Sequence, residues 1–399
     1  MGFTVPEFVR CPHCGASLVR DGGSLFCTGE RRHTYDIAKE GYVNLLPPGR
    51  AKNSHTGDDA EMVRAREEFL SGGGYDRYSR EAAALAAEVI IERAKCRAQN
   101  AESQPKTPII KAGRLAQQDD VVGSLEDSTE VVPMMISSST VNTVPLPLKG
   151  KAQDAPVVSS EIDGEGRLAQ QDDVVGPLDA SDEVVPCFAP GLSPVPCFAP
   201  PCYGVDAGCG EGRHTVNMAK TLAEMLGVPV TTVGFDASKF GVRAAAKRYV
   251  KNSANTPEGV TPMFAAANIF SLPVADECAD VFTSLFAPLP DDEVRRVLKK
   301  GGVLVICAAG AEHLSEMRRV LYENPVPSGG GAAVPDGFTT AREKIIEYRI
   351  DLSSNEEIMS LFTMTPFYYN APAEGRKKLE ALSSLTVTVQ VKCTVAVKD

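Results

Sequence analysis

The stretch from Tyr203 to Leu226 constrains the fold more than any other part of the chain. A short apolar run, Tyr203-Gly-Val-Asp-Ala207, leads into Gly208-Cys-Gly-Glu-Gly212 and then into a helical pattern over His214–Leu226. Glycines at a strand-to-helix junction let the backbone turn sharply and approach a ligand closely. The same alternation continues downstream. Strand-like runs follow at Val230–Phe235, Met263–Ala267, Ala279–Leu285 and Val303–Ala308, with helical patterns at Ser238–Val250, Asp291–Lys299 and His313–Leu321. Strand alternating with helix implies an α/β fold, a parallel sheet with helices on both faces. Leu385–Val397 alternates apolar and polar residues. It is expected as an antiparallel edge strand on that sheet.

Four regions follow from the rest of the chain. Residues 1–48 are dense in Cys, Gly and aromatics, and 49–98 read as a helical linker. In that linker Asp58 or Asp59 is placed to cap a helix, Gly72-Gly73-Gly74 interrupts it, and Arg80–Cys96 resumes it. Residues 99–200 form an insertion in which Gly113-Arg-Leu-Ala-Gln-Gln-Asp-Asp-Val-Val-Gly123 returns unchanged at Gly166–Gly176. Rich in Pro, Ser and acid, this stretch reads as disordered, with a small β-rich module as the alternative. Residues 201–399 carry the α/β pattern.

A formal net charge of −11 over 399 residues argues at first against a polyanionic partner. The charge is unevenly placed. Between Asn100 and Pro200 there are 6 Lys and Arg against 15 Asp and Glu, and the remainder holds 35 against 37. The acidity therefore says little about a surface that meets substrate. No apolar run of about 18 residues is present, so no membrane span is expected. The first residues lack a basic-then-apolar signal pattern, which places the chain in the cytoplasm. In that reducing setting the cysteines are read as metal ligands or buried thiols.

Cys11-Pro-His-Cys14 is followed by Cys27 and His33. Two thiolates two residues apart make one knuckle of a tetrahedral zinc site, and a later Cys and His complete four ligands. A closed set of this kind is structural, and it holds together a segment too small for its own core. His13, between the two knuckle cysteines, is a poor ligand. The other reading is free thiols in a loop.

In the α/β region, Asp206 precedes the glycine turn of Gly208, Gly210 and Gly212, and the second strand ends Val233-Gly-Phe-Asp236. Asp236 is placed to accept hydrogen bonds from a ribose diol. The helix start after the turn suits a carboxylate. These features resemble the class I (Rossmann-like) methyltransferase fold, with a dinucleotide-binding domain or a purely structural turn as alternatives. Phe286-Ala-Pro288, ending the fourth strand, offers no side-chain oxygen to an exocyclic amine.

The motifs together resemble the RlmA family of 23S rRNA (guanine-N1)-methyltransferases. The resemblance rests on the Cys11, Cys14, Cys27 and His33 set followed by Tyr35-Asp-Ile-Ala-Lys-Glu-Gly-Tyr-Val-Asn-Leu-Leu46. Further matching blocks are Gly57–Met62, Asp206–Gly212, Leu298–Gly302, Gly310–Leu314 and Met364–Phe367. It implies a zinc ribbon joined to a methyltransferase domain, with S-adenosylmethionine and Zn2+ as cofactors. It further implies 23S rRNA as partner, and it leaves a homodimer open. The cofactor contacts it implies are Tyr75, Gly210, Glu211 and His313, added to Asp206, Gly208 and Asp236 from the motif itself. The sequence departs from the family in a Cys27–His33 gap two residues longer and in Arg213-His214 after the glycine turn. No residue is identified as the base that removes the guanine N1 proton. Arg10, Arg20, Arg31, Arg32, Arg50, Lys52, Arg64 and Arg66 are candidate phosphate contacts. Tyr368 and Tyr369 are candidates for stacking on a splayed-out base. The competing functions are methyl transfer to another substrate and non-catalytic RNA binding.

Overall fold

The computed structural model describes residues 3–47, 57–103, 201–329, 331 and 333–399. The repeats of the insertion, Arg50 and Lys52 lie outside the described residues.

The N-terminal segment begins with a small antiparallel sheet of β1 (Leu18–Asp21), β2 (Ser24–Cys27) and β3 (Thr34–Asp36). β4 (Tyr42–Asn44) then leaves this sheet and pairs in parallel with β7 (Val260–Ala266) of the large one. Asp59 caps α1 (Ala60–Ser71), its Oδ1 accepting from the N–H groups of Glu61 and Met62 at 2.9 Å. The glycine interruption is real, and α2 (Asp76–Ser103) follows it. The helix therefore runs five residues past the expected linker boundary at 98.

The large sheet has eight strands in the order β10-β11-β9-β8-β5-β6-β7-β4. Its parallel core is β5 (Cys202–Ala207), β6 (Val230–Asp236), β7, β8 (Ala279–Leu285) and β9 (Leu298–Ala309). Between them run α3 (Arg213–Leu226), α4 (Lys239–Ala246) continued by a π turn at Lys247–Lys251, and α5 (Asp291–Val297). α6 (Ser315–Leu321) starts two residues later than the sequence pattern, leaving His313 in the preceding turn.

Period-two burial divides the core. In β9, Val303, Val305 and Cys307 join the cluster formed with α2, α3 and α6, whereas Leu304 and Ile306 join the cluster formed with α5 and the N-terminal segment. α3 presents Val216, Ala219, Leu222 and Leu226 at helical spacing, all buried. It ends at Gly227 in the left-handed conformation, whose N–H returns to the Ala223 carbonyl.

One expectation is corrected. β11 (Leu385–Lys398) is antiparallel, as read, but it is not the edge. β10 (Phe338–Leu352) pairs with it along its full length and takes that place. β10 escaped notice because it is largely charged and exposed, which is how an edge strand avoids pairing with another chain. The C-terminal helices α7 (Asn355–Thr363), α8 (Phe367–Asn370) and α9 (Ala373–Glu380) were also not anticipated.

Phe362 of α7 is fully buried. Phe362→Ala is expected to cost about 3–5 kcal/mol in urea unfolding. An unchanged midpoint would mean that α7 contributes nothing to the core.

Candidate active site and metal centre

A cavity of about 650 Å³ opens at the carboxyl ends of β5, β6 and β8. This is where an open α/β sheet binds ligands, because the strand order switches between β5 and β8 and leaves a crevice there. The glycine turn forms its floor. Gly208 has φ +86°, and a Cβ there would stand 2.4 Å from the Ala287 Cβ. Gly212 has φ +80°, and a Cβ there would stand 2.7 Å from the Ala245 Cβ. Neither position has room for a side chain. The backbone N–H of Gly210 donates to Asp236 Oδ2 at 2.9 Å, and that of Ser238 donates to Oδ1 at 2.7 Å. Burial raises the Asp236 pKa, and these two donors oppose the shift.

Gly208, Gly210, Glu211, Asp236, Tyr75 and His313 all line this cavity. Asp206 does not. Its buried carboxylate accepts from Thr283 Oγ1 at 2.6 Å and from Thr215 Oγ1, tying β5 to β8 and α3. In this structure Asp206 is placed beneath the turn as a brace rather than on the cavity wall. Burial pushes its pKa up to about 6. Glu211 is 2 % exposed; Oε1 accepts from the Arg213 N–H, while Oε2 has no hydrogen-bond donor and lies 3.7 Å from Arg248 Nη1. Burial raises its pKa, and Arg248 opposes that rise.

Tyr75 and His313, 238 positions apart, meet at 3.4 Å between Oη and Nε2. The Gln390 N–H donates to His313 Nδ1 at 3.3 Å. That bond leaves Nδ1 unprotonated, so the proton sits on Nε2, facing the Tyr75 hydroxyl. Burial pulls the His313 pKa down to about 4 and keeps the ring neutral.

Sequence reasoning missed several lining residues. Tyr78 follows Tyr75 by one helical turn, and its ring lies 4.7 Å from that of His214. Burial lowers the His214 pKa to about 3. Arg66, expected on the RNA-facing surface, instead pairs with Asp58 and donates to the Met364 carbonyl at 3.2 Å. It fastens two distant segments around the opening. Tyr368 and Tyr369 do not line the cavity; the Tyr369 hydroxyl donates to Asp59 Oδ2 at 3.1 Å. The aromatics that do line it include Phe286 and Phe367. The Gly57–Met62 and Met364–Phe367 blocks, which help carry the family resemblance, were the available signal for Met62, Met364 and Phe367.

At the other end of the chain, the ligand atoms of Cys11, Cys14, Cys27 and His33 lie within 4.8 Å of one another. His33 Nδ1 is 3.5, 3.7 and 3.3 Å from the sulfurs of Cys11, Cys14 and Cys27, and the Cys14 and Cys27 sulfurs are 3.9 Å apart. Ordinary zinc bond lengths in a tetrahedron give about 3.6 Å for N···S and about 3.8 Å for S···S. The set fits zinc, and the longer Cys27–His33 loop does not displace the histidine. The Tyr35 hydroxyl stands 3.0 Å from Cys11 Sγ, the position of a second-layer donor to a thiolate. His13 lies beside His33, with ring centroids 4.9 Å apart and planes tilted by 30°, and is not in the set. Among the described helices none is long and apolar enough to cross a membrane.

Comparisons with known proteins bear on the two regions of the chain. Residues 9–55 match the family model described as RlmA, N-terminal, and residues 202–355 match a methyltransferase-domain model. A protein of Micromonospora griseorubida named putative 23S rRNA (guanine-N(1)-)-methyltransferase is 28% identical over 397 residues, covering 96% of this chain and 95% of that protein. The 23S rRNA (guanine(748)-N(1))-methyltransferase of Streptomyces fradiae is 42% identical over 71 residues, 18% of this chain and 24% of its own length. Among solved structures, the YcgJ protein of Bacillus subtilis aligns over 49% of this chain and 92% of its own, at 15% identity and a TM-score of 0.32.

Two outcomes follow. His33→Ala is expected to lower bound zinc below the one ion per chain of the parent, measured by metal analysis after gel filtration. Full retention would remove His33 from the ligand set. The second concerns acid. The unfolded chain binds a proton at His313 near pH 6.5 and the folded chain only near 4, so stability is intact above pH 6.5 and falls toward pH 4. Asp206, raised from 3.8 to about 6, acts in the opposite sense, and His214 adds to the loss. His313→Gln is expected to flatten the fall in urea midpoint between pH 6.5 and 4. An unchanged slope would show that His313 is not its source.

Proposed function

We infer that this chain, which belongs with the RlmA methyltransferases by its zinc ribbon, its methyltransferase domain and its full-length relative, methylates N1 of a guanine in 23S rRNA. The observation that carries the reading is the gathering of the glycine turn, Asp236, Glu211 and the Tyr75–His313 pair around one cavity large enough for a nucleoside cofactor and a base.

The residues fit S-adenosylmethionine. Asp236, fixed by two backbone donors, is the acceptor for a ribose diol. The N-cap of α3 is Gly212, which has no side chain; the Arg213 N–H is taken by Glu211, and the partial positive charge of the helix start favours a carboxylate nearby. Glu211 keeps one buried oxygen without a hydrogen-bond donor, an acceptor suited to an ammonium group. Tyr75, held by neutral His313, keeps its own hydroxyl proton for a ligand acceptor. When bound, S-adenosylmethionine would supply an electrophilic methyl group on a sulfonium, and the guanine N1 proton that the methyl group replaces would leave to a base. The chain's own task is to align N1 with that methyl group and to exclude water. Cys11, Cys14, Cys27 and His33 hold zinc in a closed, structural site. Arg10, Arg20, Arg31 and Arg32 lie on that ribbon and are the proposed phosphate contacts.

The test is methyl transfer from labelled S-adenosylmethionine to transcribed, unmodified 23S rRNA, read by nucleoside mass spectrometry. The parent chain is expected to yield 1-methylguanosine. Asp236→Ala removes the acceptor of two backbone donors and is expected to weaken cofactor binding at least about tenfold and to abolish the product. Cofactor binding without 1-methylguanosine would point to another substrate, and no cofactor binding would point to a non-catalytic RNA-binding protein.

A further inference from the structure

Phe286 closes β8 in a conformation that phenylalanine rarely adopts, with φ +54°. A bulky side chain in the left-handed region is strained, and such strain persists only where the surroundings enforce it. Here they do. The Phe286 N–H donates to the Cys307 carbonyl at 2.8 Å, and fully buried Ser284 donates through its hydroxyl to the Ala287 carbonyl at 3.1 Å. Gly208, lacking a Cβ, lets Ala287 sit against the turn.

The strain does not serve burial. Phe286 stays 43 % exposed while lining the cavity. Its ring meets Tyr78 edge-to-face at 5.4 Å and lies 5.3 Å from the His313 ring. It is thus fixed in orientation on its packed side and open on the other. It also stands where the strand end, Phe286-Ala-Pro288, offers no side-chain oxygen to an exocyclic amine.

The geometry of N1 alkylation says what an open ring there can do. Guanine N1 carries a proton in the plane of the base; once a base has taken that proton, the electron pair left on N1 lies in the same plane, so the methyl group must approach within it. A partner stacked on the face of the base fixes the plane and leaves the approach clear. A hydrogen bond at the edge fixes the base in its plane but lets it tilt. We propose that Phe286 is the stacking platform for the target guanine, an assignment that rests on the methyl-transfer reading above.

Phe286→Leu and Phe286→Tyr are compared with the parent chain by thermal melting, calorimetric titration of S-adenosylmethionine, and single-turnover formation of 1-methylguanosine in transcribed 23S rRNA. Base–aromatic contacts of this kind predict a fall of about 10- to 100-fold in the Leu variant and full activity in the Tyr variant. Cofactor affinity stays at the parent level in both. Should Phe286→Leu fail to fold, Phe286→Asn keeps the test open, because asparagine tolerates left-handed backbone; it is expected to melt like the parent and to lose the same activity. An active Leu or Asn variant overturns the platform alone. A loss of cofactor affinity in step with activity also overturns it, placing the ring in the cofactor wall. A parent chain that binds S-adenosylmethionine and forms no 1-methylguanosine overturns the underlying reading, and the platform with it.

Discussion

The contact between Gly208 and Ala287 sets the site. With a Cβ at Gly208 the two residues would be driven to 2.4 Å, so the ends of β5 and β8 converge only because that atom is missing. Convergence brings the glycine turn and the Phe286 loop to one point. From the other side, Asp236 grips the turn through the Gly210 N–H. Beneath it, Asp206 joins β5 to β8 and α3 through two threonine hydroxyls. A buried carboxylate is costly unless it is hydrogen-bonded, and these two donors offset that cost. The turn is therefore held by three neighbours. The cavity gains a polar pole at Asp236 and Glu211 and an aromatic pole at Phe286 and Tyr78.

Much of this was legible in the sequence where local pattern decides structure. The five parallel strands and the helices between them followed from alternating periodicity, and the zinc set followed from cysteine spacing. The losses have physical causes. β10 is an edge strand whose polar face hides its period. His313 sits in a turn rather than a helix because α6 begins only at Ser315. Asp206 and Asp236 both end strands of the same sheet, and nothing local reveals that one turns under the glycine loop and the other lines the cavity. The pairing of Arg66 with Asp58 and the Met364 carbonyl joins residues nearly three hundred positions apart, a separation at which spacing carries no information. The Tyr75–His313 pair came from the family resemblance, and its geometry came only with the fold.

The ribbon is more than an appendage. Val9 bridges Val274 and the Arg10 N–H donates to the Pro273 carbonyl, so the segment leading into Cys11 is fastened to the loop that follows β7. That loop begins with Asn268, Ile269 and Phe270, which line the cavity. β4 adds a second attachment through its pairing with β7. A three-stranded sheet of this size has too little core to fold unaided, and a bound metal supplies the missing stability. The metal set thus supports a piece of chain that itself braces one wall of the cavity. A structural zinc site of this kind affects the chemistry without taking part in it.

The opposite wall depends on α2, whose N-terminal end carries Tyr75 and Tyr78. Asp76 anchors that end to α3, through Arg213 at 3.3 Å and Asn217 Nδ2 at 2.9 Å. The helix has 28 residues, so its C-terminal end at Ser103 lies about 40 Å along the axis, just inside the stretch read from the sequence as an insertion. Loop-closure entropy grows only with the logarithm of length, and a long insertion at that point adds little cost. Arg213, one of the two residues after the glycine turn at which the sequence departs from the family pattern, is part of that anchor.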